Sequence, residues 1–238
     1  MPKRTKPYLL HASFRPDVEL DFGEYPFNIP AVQELGNIDF HPNVTFFVGE
    51  NGSGKSTVLE ALALALGFGP EGGTKNVQFN TVDSVSPLHQ VLRLARGVPI
   101  PADGYFLRAE SFFNIASYVD ELGYVKAYGG SLHDKSHGEA FMAVLTHKLK
   151  GNGIYLFDEP EAALSPSRQL VALRAINQLV EGSSQFIIAT HSPILLSYPK
   201  AKIVLFDSTG VSEVAYEDTE HYAVTHDFLN NYPHRLAQ

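Results

Sequence analysis

The chain has 238 residues, 44% of them hydrophobic, no cysteine and a formal net charge of −8. The length fits one compact α/β domain, alone or with a modest insertion, and the missing thiols exclude a disulfide framework and any thiolate metal site. The acidic balance disfavours non-specific binding of nucleic acid. The most apolar segment, "ALALALGFG", is far short of the roughly 20 residues of a membrane helix, and the basic start "MPKRTKPYLLHASF" has too short an apolar stretch for a secretory signal, so a soluble, cytosolic protein is expected.

Residues 1–48 read as strands and turns, with "LLHASF" and "VTFFV" as strands between Pro and Gly breaks. A glycine-rich turn, Gly49–Thr57, follows, and "STVLEALALALG" reads as a buried helix that stops at Gly67. Residues 68–104 are rich in Gly, Pro and polar residues, with one helical patch near His89–Arg96. "YFLRAE" predicts a strand and "SFFNIASYVDEL" a helix. From Ser136 the helical period places Ala140, Phe141, Val144, Leu145 and Leu149 on one face, and Gly151 and Gly153 end it.

"IYLFD", "QFIIAT" and "KIVLF" are unbroken apolar runs, the pattern of parallel strands buried on both faces. Between the first two lies a helix capped by Ser165 with Pro166 at its first position. "VSEVAYE" predicts a last strand and "HYAVTHDFLNNY" a terminal helix. The order implies an α/β fold: a mostly parallel sheet flanked by helices, a β-rich, antiparallel N-terminal part, and a ligand at the carboxyl ends of the strands.

"GENGSGKST" satisfies G-x-x-x-x-G-K-[ST] through Gly49, Gly54, Lys55 and Ser56, and it lies between a strand and a helix as a phosphate-binding loop must. Backbone N–H groups of Gly49, Asn51, Gly52, Ser53, Gly54, Lys55, Ser56 and Thr57 are placed to face phosphate oxygens, aided by the helix dipole. Lys55 supplies a point charge to the β- and γ-phosphates, and Ser56 a hard oxygen to Mg²⁺. "IYLFDEPEAAL" ends a buried strand in Asp158, a candidate Mg²⁺ ligand, and Glu159, a candidate base for the attacking water. His191 in "IIATHSP" stands just past the next buried strand, where a donor reaches the γ-phosphate.

Together these segments resemble the ATP-binding cassette (ABC) ATPases over roughly Val44–Pro193, with "DEPEAALSP" closest to the soluble branch that includes SMC- and RecF-like proteins and small stand-alone bacterial ATPases. The resemblance implies a single P-loop NTPase domain over 1–238: residues 1–67 and 150–238 form the nucleotide core, and about 68–149 an insertion with a signature helix. It implies ATP and Mg²⁺ as ligands, Lys55, Glu159 and His191 as catalytic residues, and Glu110 where a metal-contacting glutamine is usual. Glu110 reads alternatively as the cap of the following helix. Ala162–Ser165 falls where such proteins have a loop that contacts a second subunit, with Ser165 in place of the usual aspartate. Tyr25 and Phe27 are candidates for stacking on adenine.

The stretch Lys135-Ser136-His137-Gly138-Glu139 stands at the position of the family's L-S-G-G-Q signature, keeping the serine and the second glycine, with His137 where a glycine is usual. Ser136 followed by Glu139 is a capping box, and Gly138 leaves room for a close anion. By the resemblance, Ser136 and Gly138 contact the γ-phosphate held by a second copy of the chain, in an ATP-driven head-to-tail homodimer. Two other readings stay open for this stretch: a metal site from His133, Asp134 and His137, or a plain helix cap. For the whole chain, a soluble switch acting in DNA repair or phage defence, through a protein partner or DNA, competes with the nucleotide-binding subunit of a transporter and with a small-molecule P-loop kinase.

Overall fold

The computed structural model describes residues 6–76 and 85–235. The basic residues at the very start of the chain, and part of the 68–104 stretch, lie outside the described residues. In chain order the elements are β1 (Leu9–Phe14), α1 (Pro30–Gln33), β2 (Asn37–Asp39), β3 (Val44–Val48), α2 (Lys55–Ala65), α3 (Leu88–Val91) and β4 (Leu92–Arg96). There follow β5 (Asp103–Arg108), α4 (Phe112–Glu121), α5 (His137–Ala143), β6 (Gly153–Asp158), α6 (Pro166–Glu181), β7 (Gln185–Ala189), α7 (Pro193–Leu196), β8 (Lys202–Asp207), β9 (Gly210–Val214) and α8 (Glu220–Arg235). None of the described helices is long and apolar enough to cross a membrane.

The main sheet has six strands in the order β5-β6-β7-β3-β8-β9, and a second sheet has three in the order β2-β1-β4. All pairings from β5 to β8 are parallel; β9 turns back antiparallel on β8. The small sheet is antiparallel throughout. The mostly parallel sheet, the flanking helices and the antiparallel N-terminal part agree with the sequence reading.

Why the strands of the main sheet read as unbroken apolar runs is plain from their two faces. Phe46, Tyr155, Phe157, Phe186 and Ile188 join one core cluster with α4, α5 and α6. Their sequence neighbours Phe47, Ile154, Leu156, Ile187 and Ala189 join the other, with α2 and the small sheet. Both faces are buried, so neither selects polar residues. Removing a ring such as Phe157, fully buried against Phe141 and Phe186, costs about 3–5 kcal/mol.

One polar side chain locks the two sheets together. Gln185, fully buried at the start of β7, accepts hydrogen bonds from the N–H groups of Tyr8 and Leu9 through Oε1, both at 2.9 Å. Its Nε2 donates to Leu9 O at 2.8 Å and His41 O at 3.1 Å. The amide thereby satisfies backbone groups that the start of β1 leaves inside the protein.

Three local expectations change. The patch His89–Arg96 is only a single turn of helix, α3, and then the strand β4, because Leu92–Arg96 pairs antiparallel with β1; a non-local ladder overrides local periodicity. The first 48 residues also hold a helix, α1, started by Pro30 at its first position. The helix from Ser136 is regular only to Ala143 and widens to a π turn over Val144–Lys148. The expected face survives that change, with Ala140, Phe141, Val144, Leu145 and Leu149 all buried.

Candidate active site

The loop between β3 and α2 wraps around the start of the helix. Gly49, Gly52 and Gly54 all have positive φ, of 142°, 79° and 99°, a region that L residues other than glycine rarely enter. At Gly49 the need is also steric, since a Cβ would sit on the carbonyl oxygen of Phe206 in β8. Among the described residues nothing lies within 4 Å of such an atom at Gly52, so that side is open for a ligand. Lys55 is buried, and its Nζ donates to Gly49 O at 2.9 Å and Glu50 O at 2.7 Å. Burial holds its pKa below the usual lysine value, against the attraction of Glu159 and Asp158.

Ser56, one residue into α2, donates from Oγ to Oδ1 of Asp158 at 2.9 Å. Asp158 ends β6, is 7% exposed, and is pushed up to about 6 by burial despite the Ser56 hydrogen bond. Two hard oxygens held together, one of them on a carboxylate whose charge is costly where it lies, fit a divalent cation such as Mg²⁺. Ser56 and Asp158 are therefore the residues that would hold it.

Glu159 follows in the left-handed region, at φ 49° and ψ 51°, a conformation costing about 1 kcal/mol for a non-glycine residue. It is held there because its N–H donates to Ala189 O at 2.9 Å while its own carbonyl accepts from Ala162 N at 3.1 Å. The turn lifts the Glu159 carboxylate out of the sheet, with Oε1 3.7 Å from His191 Nε2. His191 is fixed from behind: its backbone N–H donates to Glu161 Oε1 at 2.5 Å. Burial, then the Lys55 charge, lower the His191 pKa against the pull of Glu159, which favours the neutral ring. Glu161, in turn, is raised by burial.

The sequence did not single out His221. Its Nε2 lies 3.0 Å from His191 Nδ1, the rings 5.1 Å apart. "HYAVTHDFLNNY" predicted only a terminal helix, and nothing in its spacing marks one histidine over the others. Arg108 was missed as well. It ends β5 in register with Asp158, pairs with Glu60 at 2.5 Å and reaches Glu110 at 3.6 Å. Glu110 lies at the same end of the sheet, its side chain 88% exposed and turned to Arg108.

Ser136 and Gly138 stand apart from this cradle. The capping box is formed: Glu139 N donates to Ser136 Oγ at 3.4 Å, and Ser136 N donates to Glu139 Oε2 at 2.9 Å. Arg168, from the first turn of α6, donates to Ser136 Oγ at 3.3 Å and pairs with Glu139 at 3.4 Å. Ser165 caps α6 by accepting from Arg168 N. Gly138 is buried, and a Cβ there would meet Ala163 O at 2.7 Å and the Arg168 guanidinium. The glycine therefore serves the contact between α5 and the turn after Glu159, rather than leaving space for an anion on that side. His133 uses its ring otherwise than as a ligand, bonded to Ser117 Oγ at 3.1 Å and edge-on to Phe113; among the described residues no cluster of three potential ligands can hold a metal ion. Of the two adenine candidates, Phe27 packs against the core and Tyr25 is 60% exposed.

Two family models match the sequence. An AAA domain model covers residues 22–91, and a second, described as "AAA domain, putative AbiEii toxin, Type IV TA system", covers 139–197. The first contains the glycine-rich loop with Lys55 and Ser56; the second contains Asp158, Glu159 and His191. Both matches are to AAA domain models, and they support an ABC/SMC-like P-loop ATPase. No curated protein matches it. Solved structures similar to this chain include cbiO1 of Clostridium perfringens, part of the ABC transporter complex cbiONQ, at 17% identity and TM-score 0.47, covering 85% of this chain and 90% of that one. Another is an SMC head bound to the C-winged helix domain of ScpA, at 16% identity and TM-score 0.46, covering 75% and 92%. A third is the SMC head domain from Thermotoga maritima, at 17% identity and TM-score 0.39, with the same 75% and 92%.

Proposed function

We propose that this P-loop ATPase binds ATP, hydrolyses it with Mg²⁺, and uses the cycle to make and break a head-to-tail homodimer. The observation that carries the reading is the convergence of Ser56 with Asp158, and of Glu159 with His191, at the mouth of one glycine-rich loop. The N–H groups of Gly49–Thr57 hold the phosphates, and Lys55 exchanges its two loop carbonyls for β- and γ-phosphate oxygens. Ser56 and Asp158 would hold Mg²⁺, which would supply positive charge against the phosphate oxygens. Glu159 accepts the proton of the attacking water, and neutral His191 donates to the γ-phosphate. Glu110, whose charge is felt by Asp158, would add a further carboxylate on the metal side.

In the dimer, Ser136 and the free N–H groups at the start of α5 face the γ-phosphate bound by the second copy. The support is the packing of the start of α5 against the turn that follows Glu159, with Ser136 and Glu139 bonded to Arg168. A switch of this kind acts on a protein partner or DNA in repair or phage defence, and the toxin named by the second family description is in keeping with the latter.

The test is Glu159→Gln with ATP or ADP and Mg²⁺, followed by light scattering and phosphate release. Hydrolysis is expected to fall by about 10²–10⁴-fold, with a dimer that accumulates in ATP and not in ADP. A variant that binds ATP and stays monomeric would remove the dimer from the reading. Hydrolysis at the wild-type rate would remove Glu159 as the base.

A further inference from the structure

The hydrogen bond between His191 Nδ1 and His221 Nε2, at 3.0 Å, needs one proton between two nitrogens, and the choice has consequences at the far side of the His191 ring. If His191 Nδ1 carries the proton, its Nε2 presents a lone pair towards Glu159 Oε1, 3.7 Å away. Lone pair then faces carboxylate. If instead His221 Nε2–H is the donor, neutral His191 carries its own proton on Nε2, and N–H faces the carboxylate. The second arrangement is the favourable one. His191 Nε2 is buried and has no hydrogen-bond partner among the described residues, so this N–H is a donor held ready.

His221 is itself held rigidly. It is the second residue of α8, whose first turn is fixed by buried Thr219: Thr219 Oγ1 accepts from Tyr222 N at 3.3 Å and donates to Tyr216 O at 2.7 Å. Tyr216 OH then donates to Pro193 O at 2.8 Å, two residues beyond His191. The start of α8 is thus tied twice to the loop that carries His191. His221 also lines a cleft of about 530 Å³ with Gly49 and Ser53 of the phosphate loop.

We propose that His221 is a positioning residue for His191: its Nε2–H fixes the His191 tautomer that presents Nε2–H to the nucleotide. The inference rests on the reading above for His191, and extends it to a residue on α8, which lies outside both matched segments.

The first measurement needs no nucleotide. In ¹⁵N-labelled protein at pH 8, a trans-hydrogen-bond coupling is expected between His221 Nε2, carrying the proton, and His191 Nδ1. A proton found on His191 Nδ1, or no coupling between the two rings, overturns the proposal. The second is steady-state hydrolysis. His221→Leu keeps the volume and loses the donor, and kcat is expected to fall about tenfold or more with KM for ATP little changed. His221→Gln places an amide N–H near the same point and is expected to restore most of kcat. The double variant His191→Ala/His221→Leu is expected to be no slower than His191→Ala alone. Equal loss in the Leu and Gln variants, or additive loss in the double variant, overturns the proposal. If His191→Ala alone hydrolyses ATP normally while the coupling is present, the role of His191 fails and the hydrogen-bond assignment stands.

Discussion

Ser56 Oγ donates to Asp158 Oδ1 at 2.9 Å, joining residues 102 positions apart at the carboxyl ends of β3 and β6. The bond fixes the spacing between the phosphate loop and the acid pair. It also leaves a buried carboxylate whose pKa is pushed up to about 6.

That carboxylate weakens the free protein at neutral pH. Its folded pKa lies above the unfolded value of 3.8, so the folded form holds the proton more tightly. The stabilisation is full below the unfolded pKa and is lost as pH rises through about 6. Asp158→Asn keeps an acceptor for Ser56 and removes the charge. At pH 7.5 it is expected to stabilise the nucleotide-free protein by about 2–3 kcal/mol, at ~1.4 kcal/mol per pKa unit, while losing Mg²⁺-dependent hydrolysis. Urea unfolding at pH 4.5 and 7.5 checks the sign: the gain over wild type must be larger at the higher pH.

Two glycines of the same loop are expected to respond differently. Gly49→Ala drives a Cβ into Phe206 O at φ 142°, and the loss of stability is expected to reach about 3 kcal/mol or more. Gly52→Ala has open space and pays only the cost of its φ, about 1 kcal/mol. Its main effect is weaker nucleotide binding. Thermal melts separate the two, and titration with a fluorescent ATP analogue measures the second.

Ser136→Arg puts a bulky cation at the start of α5, away from the phosphate loop of its own subunit. ATP binding by the variant is expected to stay within about threefold of wild type, while dimerisation and hydrolysis are lost. The expectation follows from a site that needs both copies. Hydrolysis that survives the substitution would rule out a role in trans for this helix start.

Gln185→Leu tests the joint between the sheets. The side chain keeps its volume, but the N–H groups of Tyr8 and Leu9 lose their acceptor. Each buried donor left unpaired costs about 1–3 kcal/mol, so a loss of about 2–5 kcal/mol is expected in chemical unfolding. A change below about 1 kcal/mol would mean that the N-terminal sheet docks by its apolar side chains alone.

Much of the candidate site was legible because its chemistry is local. Gly49–Thr57 needs specific residue types at fixed spacing to wrap a phosphate, and Asp158, Glu159 and His191 each follow a buried apolar run that marks a strand end. The packing reason for a glycine at 138 is a carbonyl, Ala163 O, that no local pattern announces. The segment Leu92–Arg96 became a strand for a related reason: its partner is β1, some 80 residues earlier in the chain.

The sequence by itself determined the α/β class, the glycine-rich loop, the main order of strand and helix from β5 onward, and the acid that ends β6, since each depends on neighbours a few residues apart or on simple apolar periodicity. Only the tertiary structure decided which side chains share a proton or a charge. It brought His221 to His191, Arg108 to Glu60 and Glu110, Arg168 to Ser136, and Gln185 to β1. Those pairings depend on how helices and strands pack across the sheet, and a hydrogen bond reaches about 3 Å in space with no regard to distance along the chain.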